Sequence, residues 1–237
     1  MKWPRASRRV LLWAGAAMFG ITMWMAAPLA LRRLAFFRVR QVELVGIRYL
    51  DAERVLAALR MSPRASVFDD TEVLAERLRG LDGVADASVV RRPPASLKVI
   101  VREVEPIALL ANERGALGVV DADAKALPFD LSNLDLPVVR ESDRAVVGVL
   151  ARVQAFDPAL FQAIDAARRM ESQPGRSDVL LELGNHRVLL SPNAGPEVLE
   201  AVMLVARDLA AKARAYTELD GRFAGQVVVR RRGARSA

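Results

Sequence analysis

The chain of 237 residues has no cysteine and a single histidine, His186. Without cysteine there is no disulfide framework, no thiolate metal or iron–sulfur site and no cysteine nucleophile. His186 follows Gly184-Asn185 in what reads as a hairpin turn, where an exposed turn residue is a stronger reading than a catalytic base. A carboxylate cation site is the remaining route to a metal. Asp121 and Asp123 read as turn residues, however, and Asp69 and Asp70 as helix-start residues, so capping accounts for them. The sequence also lacks a glycine-rich phosphate loop, a G-x-S-x-G elbow and an S-x-x-K pair. No catalytic, cofactor-binding or metal-ligating residue is expected, and the chain reads as non-enzymatic.

Aromatic residues are scarce, at 5%, and all three tryptophans (Trp3, Trp13, Trp24) fall in the first 24 positions. The body therefore has no basic stripe with interleaved aromatics, and no nucleic-acid partner is expected. Acids are missing from the first forty residues, which carry Lys2, Arg5, Arg8, Arg9, Arg32, Arg33, Arg38 and Arg40. Against a whole-chain net charge of +7, that leaves residues 41–237 at −1. The basic character is terminal and points to anchoring rather than to an anionic polymer.

Between those cations lies a long apolar run. Val10–Leu31 (VLLWAGAAMFGITMWMAAPLAL) has no charge, and as a helix it covers about 33 Å, enough for a hydrocarbon core of ~30 Å. A cleaved signal peptide fits less well. The run exceeds the usual apolar region, and cutting after Ala27 would put Met25 at −3 and Pro28 at +1. The expectation is a retained transmembrane helix over 10–31 that uses the lipid bilayer as partner. Cations flank both ends, so charge alone does not orient it; a nine-residue tail with four cations favours a cytoplasmic N-terminus over 1–9.

Two parts follow. Arg38–Gly46 alternates as a strand, and Leu50–Arg60 and Phe68–Leu81 show helical stripes, with Asp51 as N-cap of the first and Asp69/Glu72 at capping-box spacing in the second. Val84–Arg91 and Ser96–Glu103 read as strands joined through Pro93-Pro94, giving β-α-α-β-β. Beyond Ile107, short strands are expected at 107–111, 116–121 and 125–129, and helices at 143–155 and 158–170. A hairpin is expected at 179–190 around Gly184-Asn185, then a long helix over Gly195–Ala215 and two last strands, 217–223 and 224–230.

The run Val84, Ala87, Val89, Arg91, Pro93, Pro94, Leu97, Val99, Val101, Glu103, Pro106, set behind a membrane segment, resembles the POTRA domain of the bacterial cell-division family FtsQ (DivIB). Leu136-Pro137-Val138-Val139 resembles a step of that family's β-domain, and Leu219-Asp220-Gly221-Arg222-Phe223 its I-D-L-R-aromatic strand. It departs from the family at Gly221, where an apolar residue is usual and a bulge is allowed here. The resemblance implies an α+β chain: one N-terminal transmembrane helix, a POTRA domain over 36–105, a larger mixed β-domain over 106–232 with a long C-terminal helix and final strands, and a disordered tail over 233–237. It implies a scaffold of the division machinery in the cytoplasmic (inner) membrane at the septum, its domains periplasmic. In the family the C-terminal region docks FtsB and FtsL, beside other division membrane proteins. The candidate docking residues are Arg222, Phe223, Gln226, Val227, Val228, Val229 and Arg230. Sequence leaves open whether that last strand is a free edge or a buried, doubly paired strand. The alternative, a POTRA protein of outer-membrane assembly or secretion, needs a C-terminal barrel that about 130 residues with helical stretches do not supply.

Overall fold

The computed structural model describes residues 12–24, 35–111, 115–173, 176–223 and 225–231. Residues 12–24 form a helix (α1), about 20 Å of the expected span. Among the described residues no helix is long and apolar enough to cross a membrane. The rest of the span expected at 10–31, and the tails expected at 1–9 and 233–237, lie outside the described residues. The chain divides into two compact units between Glu103 and Val104.

In the first unit, β1 (Gln41–Val45), α2 (Ala52–Ala58), α3 (Thr71–Arg79), β2 (Val84–Arg92) and β3 (Ser96–Glu103) follow the expected order. The sheet runs β1-β3-β2, with β1 parallel and β2 antiparallel to β3. The period-2 face Leu97, Val99 and Val101 is buried with Val55 of α2, Leu59 at its C-cap and Leu78 of α3. Asp51 caps α2 as expected, but Asp70, not Asp69, caps α3 by accepting from Glu72 N. Asp69 is used one step earlier, where its Oδ2 accepts from Ser66 N at 2.8 Å. Gly46 is required: at φ +90° a Cβ would lie 2.1 Å from Val101 O.

Two polar residues of the β2–β3 pattern pin the loops. Arg91 donates to the carbonyls of Val67 (3.1 Å) and Asp69 (3.0 Å), fixing the approach to α3. The Glu103 carboxylate accepts from the backbone N–H groups of Arg48 (3.0 Å), Tyr49 (3.0 Å) and Leu50 (2.8 Å), holding the chain where it enters α2. Charged acceptors of this kind are worth roughly twice a neutral bond. Glu103→Ala is expected to destabilise the first unit by about 2–3 kcal/mol. Urea unfolding checks the magnitude, and faster hydrogen exchange at residues 48–50 checks the cause.

Among the described residues of the second unit nine strands form one sheet, ordered β12-β11-β10-β9-β8-β7-β4-β5-β6. They are β4 (Ala108–Ala111), β5 (Leu117–Val120), β6 (Ala126–Leu127), β7 (Val138–Val139), β8 (Ala166–Gln173), β9 (Arg176–Leu183), β10 (His186–Leu190), β11 (Glu218–Phe223) and β12 (Gln226–Arg230). Helices α4 (Arg144–Phe156), α5 (Pro158–Gln162) and α6 (Pro196–Ala211) complete it. Val146, Val147, Leu150 and Val153 of α4 and Leu199, Val202 and Leu209 of α6 share one core with Val179, Leu181, Val188, Leu190 and Leu219 of the sheet. The helix expected at 158–170 is the main difference. It stops at Gln162, and Ala166–Gln173 is strand β8, parallel to β7 and antiparallel to β9. Ala, Arg and Met favour a helix locally, but ladder pairing on both sides of β8 and burial of Ala167 override that preference. The hairpin turn at Gly184-Asn185 is as expected, with Gly184 at φ +57°.

Candidate functional site

The candidate residues lie on β11 and β12, at one end of the nine-stranded sheet. β12 is hydrogen-bonded to β11 on one side, and among the described residues no strand pairs with the other. Its side chains alternate: Val227 and Val229 are half-buried against the core, while Gln226, Val228 and Arg230 lie on the opposite face and are exposed. A strand of this kind offers unused N–H and C=O groups to an incoming chain, with alternate side chains to select it.

β11 reaches that edge through the bulge that Gly221 allowed, the register shifting between Asp220 and Phe223. Gly221 is fully covered. A Cβ there would lie 2.8 Å from Val202 Cγ2, 3.2 Å from Leu190 Cδ2 and 3.3 Å from Val198 Cγ1. Helix α6 packs this close to β11 because the position has no side chain.

Arg222 and Phe223, adjacent in the motif, are placed differently. The Arg222 guanidinium is held inside by two carboxylates, Nη2–Asp220 Oδ2 at 2.6 Å, Nε–Asp220 Oδ1 at 2.8 Å and Nη1–Asp178 Oδ2 at 2.8 Å. Asp178 and Asp220 are buried, at 1% and 2% exposure, beside Leu180 and Leu189 on the same sheet face. The hydrogen bonds from Arg222 hold the Asp220 carboxyl below the usual carboxylate range, and the two acids raise Arg222 above its already high value. Arg222 is thus a tie between β9 and β11, and its charge is matched internally. Phe223, 47% exposed with its ring 5.7 Å from the Arg222 Cζ, is the side chain that projects. Sequence reasoning missed Asp178 as the partner of Arg222; its only signal is an acid directly before the apolar strand run Val179-Leu180-Leu181.

His186 is not an exposed turn residue. It is the first residue of β10, half-buried, stacked on Tyr216 at 4.4 Å with Nδ1 3.0 Å from the Tyr216 carbonyl oxygen. Burial pushes the Tyr216 hydroxyl up. Both line an apolar groove of about 590 Å³ with Leu160, Val188, Val202 and Met203. Among the described residues no cluster of three His, Cys, Asp or Glu side chains could hold a metal ion.

Residues 37–103 match the family model described as POTRA domain, FtsQ-type. The cell-division protein FtsQ of Bradyrhizobium diazoefficiens is 31% identical over 164 residues, covering 64% of this chain and 46% of that protein. FtsQ of Mycobacterium tuberculosis is 26% identical over 161 residues, covering 64% of this chain and 48% of its own. The match thus spans about half the length of these relatives. Among solved structures, the major extracytoplasmic domain of the trans isomer of the cell-division protein DivIB from Geobacillus stearothermophilus aligns at 16% identity and a TM-score of 0.34, over 46% of this chain and 96% of that domain. Residues 37–103 are an FtsQ-type POTRA domain, carried by a chain whose sequence similarity is to the FtsQ cell-division proteins.

Proposed function

We propose that this chain is a single-pass, non-enzymatic scaffold of the bacterial division machinery, anchored in the cytoplasmic membrane through residues 10–31. Its POTRA domain recruits it among other division membrane proteins. Its second unit docks an FtsB/FtsL-type pair on β12 and couples septal wall synthesis to division. The free side of β12, next to the exposed Phe223, is the observation that carries this reading. The anchor is supported by α1, where Leu12, Trp13, Phe19 and Trp24 are all exposed, a surface suited to lipid rather than to water.

The docking test is Phe223→Ala. In a chain that keeps its fold, the loss of an exposed aromatic anchor is expected to weaken FtsB-type binding by about 2 kcal/mol. Unchanged affinity by titration removes Phe223 from the interface. The topology test is a periplasm-dependent reporter at the C-terminus with fluorescence at mid-cell. A reporter active only in the cytoplasm overturns the orientation, and a uniform envelope signal removes the septal assignment.

A further inference from the structure

The outer face of the sheet, opposite the helices, carries a row of alternating charge. The register sets Glu182 opposite Arg187, Arg187 opposite Glu218 and Glu218 opposite Arg230. All four lie on one face, because Leu181, Val188, Leu219 and Val229, one position away on each strand, belong to or pack on the core. From β9 to β12 the row therefore reads acid, base, acid, base, and it stops at the free edge. At the inner end Arg168 Nε reaches Glu182 at 3.3 Å, and at the outer end Arg230 Nη1 reaches Glu218 at 3.3 Å. The Arg230 side chain is still 61% exposed beyond that contact, and a guanidinium has five donors in a rigid fork.

Opposite charges directly across a ladder are favoured and like charges are penalised. The next strand inherits that condition. We propose that β12 selects an acidic strand: an extended segment of another protein with Asp or Glu facing Arg230. Two residues along, an apolar side chain faces Val228; on the other face, apolar positions extend the Val227 and Val229 layer. The proposal rests on β12 being the docking edge and adds what that edge selects. A second copy of this chain fits less well. Antiparallel pairing centred on Val228 puts Gln226, not an acid, opposite Arg230 in both copies. An arginine on an edge strand also opposes unspecific pairing, so one residue both excludes and selects.

The test is a display selection of random 12-residue peptides against the full chain in detergent micelles. Wild type is expected to enrich alternating apolar peptides with one acid at a fixed offset, at least about tenfold over the base at that position, equivalent to ~1.4 kcal/mol. Arg230→Glu exchanges that acid for Lys or Arg. Glu218→Gln with Arg230→Glu removes the like-charge contact of the single variant, sets no like charge against Arg187, and selects the same bases even if the single variant frays β12. An unchanged consensus in both overturns the charge rule and leaves edge docking standing. Peptides that bind equally to chains with proline at Val227 and at Val228 are not on β12, which overturns docking and the charge rule together. A wild-type chain that enriches nothing does the same.

Discussion

Arg222→Ala is expected to destabilise the second unit by about 3–5 kcal/mol, the range for removing one partner of a buried ion pair. The loss comes from what stays behind. Asp178 and Asp220 remain as two buried carboxylates beside Leu180 and Leu189, without the guanidinium that faced them. Replacing all three, with Asp178→Asn, Asp220→Asn and Arg222→Met, is expected to recover most of the stability, because no charge is then left in a low-dielectric setting. The pH dependence separates this from a packing defect. In the native chain the Asp220 carboxyl is held low by Arg222, so its contribution is complete above the ordinary aspartate value of ~3.9 and is lost as pH falls below it. In Arg222→Ala the hold is gone, and burial favours the neutral acid. Acidification from pH 7 to about 4.5 then relieves the variant while leaving the native chain unaffected. Urea unfolding at the two pH values, with hydrogen exchange followed over β9 and β11, reads the difference. A variant that loses stability equally at both values shows that the tie is not electrostatic.

The POTRA unit was legible because its evidence is local. The β-rich run Val84–Arg91, the period-2 run Ser96–Glu103, an N-cap at Asp51 and a glycine at Gly46 each specify a short stretch, and all agree. The second unit was legible where the same holds, as at Gly184-Asn185 and in α6, and illegible where tertiary pairing decides. Ala-Ala-Arg-Arg-Met at 166–170 carries no strand signal of its own; it becomes β8 because β7 and β9 are there to pair with it. The candidate site divides in the same way. The three valines of Gln226–Arg230 mark a strand, but its alternating burial and the edge of the sheet it occupies depend on strand order, which no local pattern encodes. Arg222 shows the limit for single residues. Its position in the motif marked it as important, and only the fold shows that its charge is spent on Asp178 and Asp220 while Phe223 faces out. The ladder from Glu182 to Arg230 is likewise invisible in one dimension, since its rungs come from four separate strands.

Proline substitution along β12 is expected to separate docking from folding completely. Successive residues of a strand point their N–H groups to opposite sides. Of Val227 and Val228, one therefore donates toward β11 and the other toward the free edge. Proline removes that donor and places its ring there instead, which an edge strand tolerates only when the lost N–H faced solvent. One of Val227→Pro and Val228→Pro is thus expected to keep the melting temperature of the native chain within a few degrees while binding of an FtsB-type partner falls below detection. The other is expected to weaken the β11–β12 pairing and lower the melting temperature. Phe223→Ala leaves an attenuated interaction, whereas the tolerated proline removes the backbone ladder that every added strand shares, so its effect does not depend on the partner's sequence. Thermal unfolding and titration of the same two preparations decide the matter. If both prolines are tolerated and both chains still bind, the partner docks elsewhere than on β12; if both unfold, β12 is paired on its second side in the assembled protein and is not an open edge.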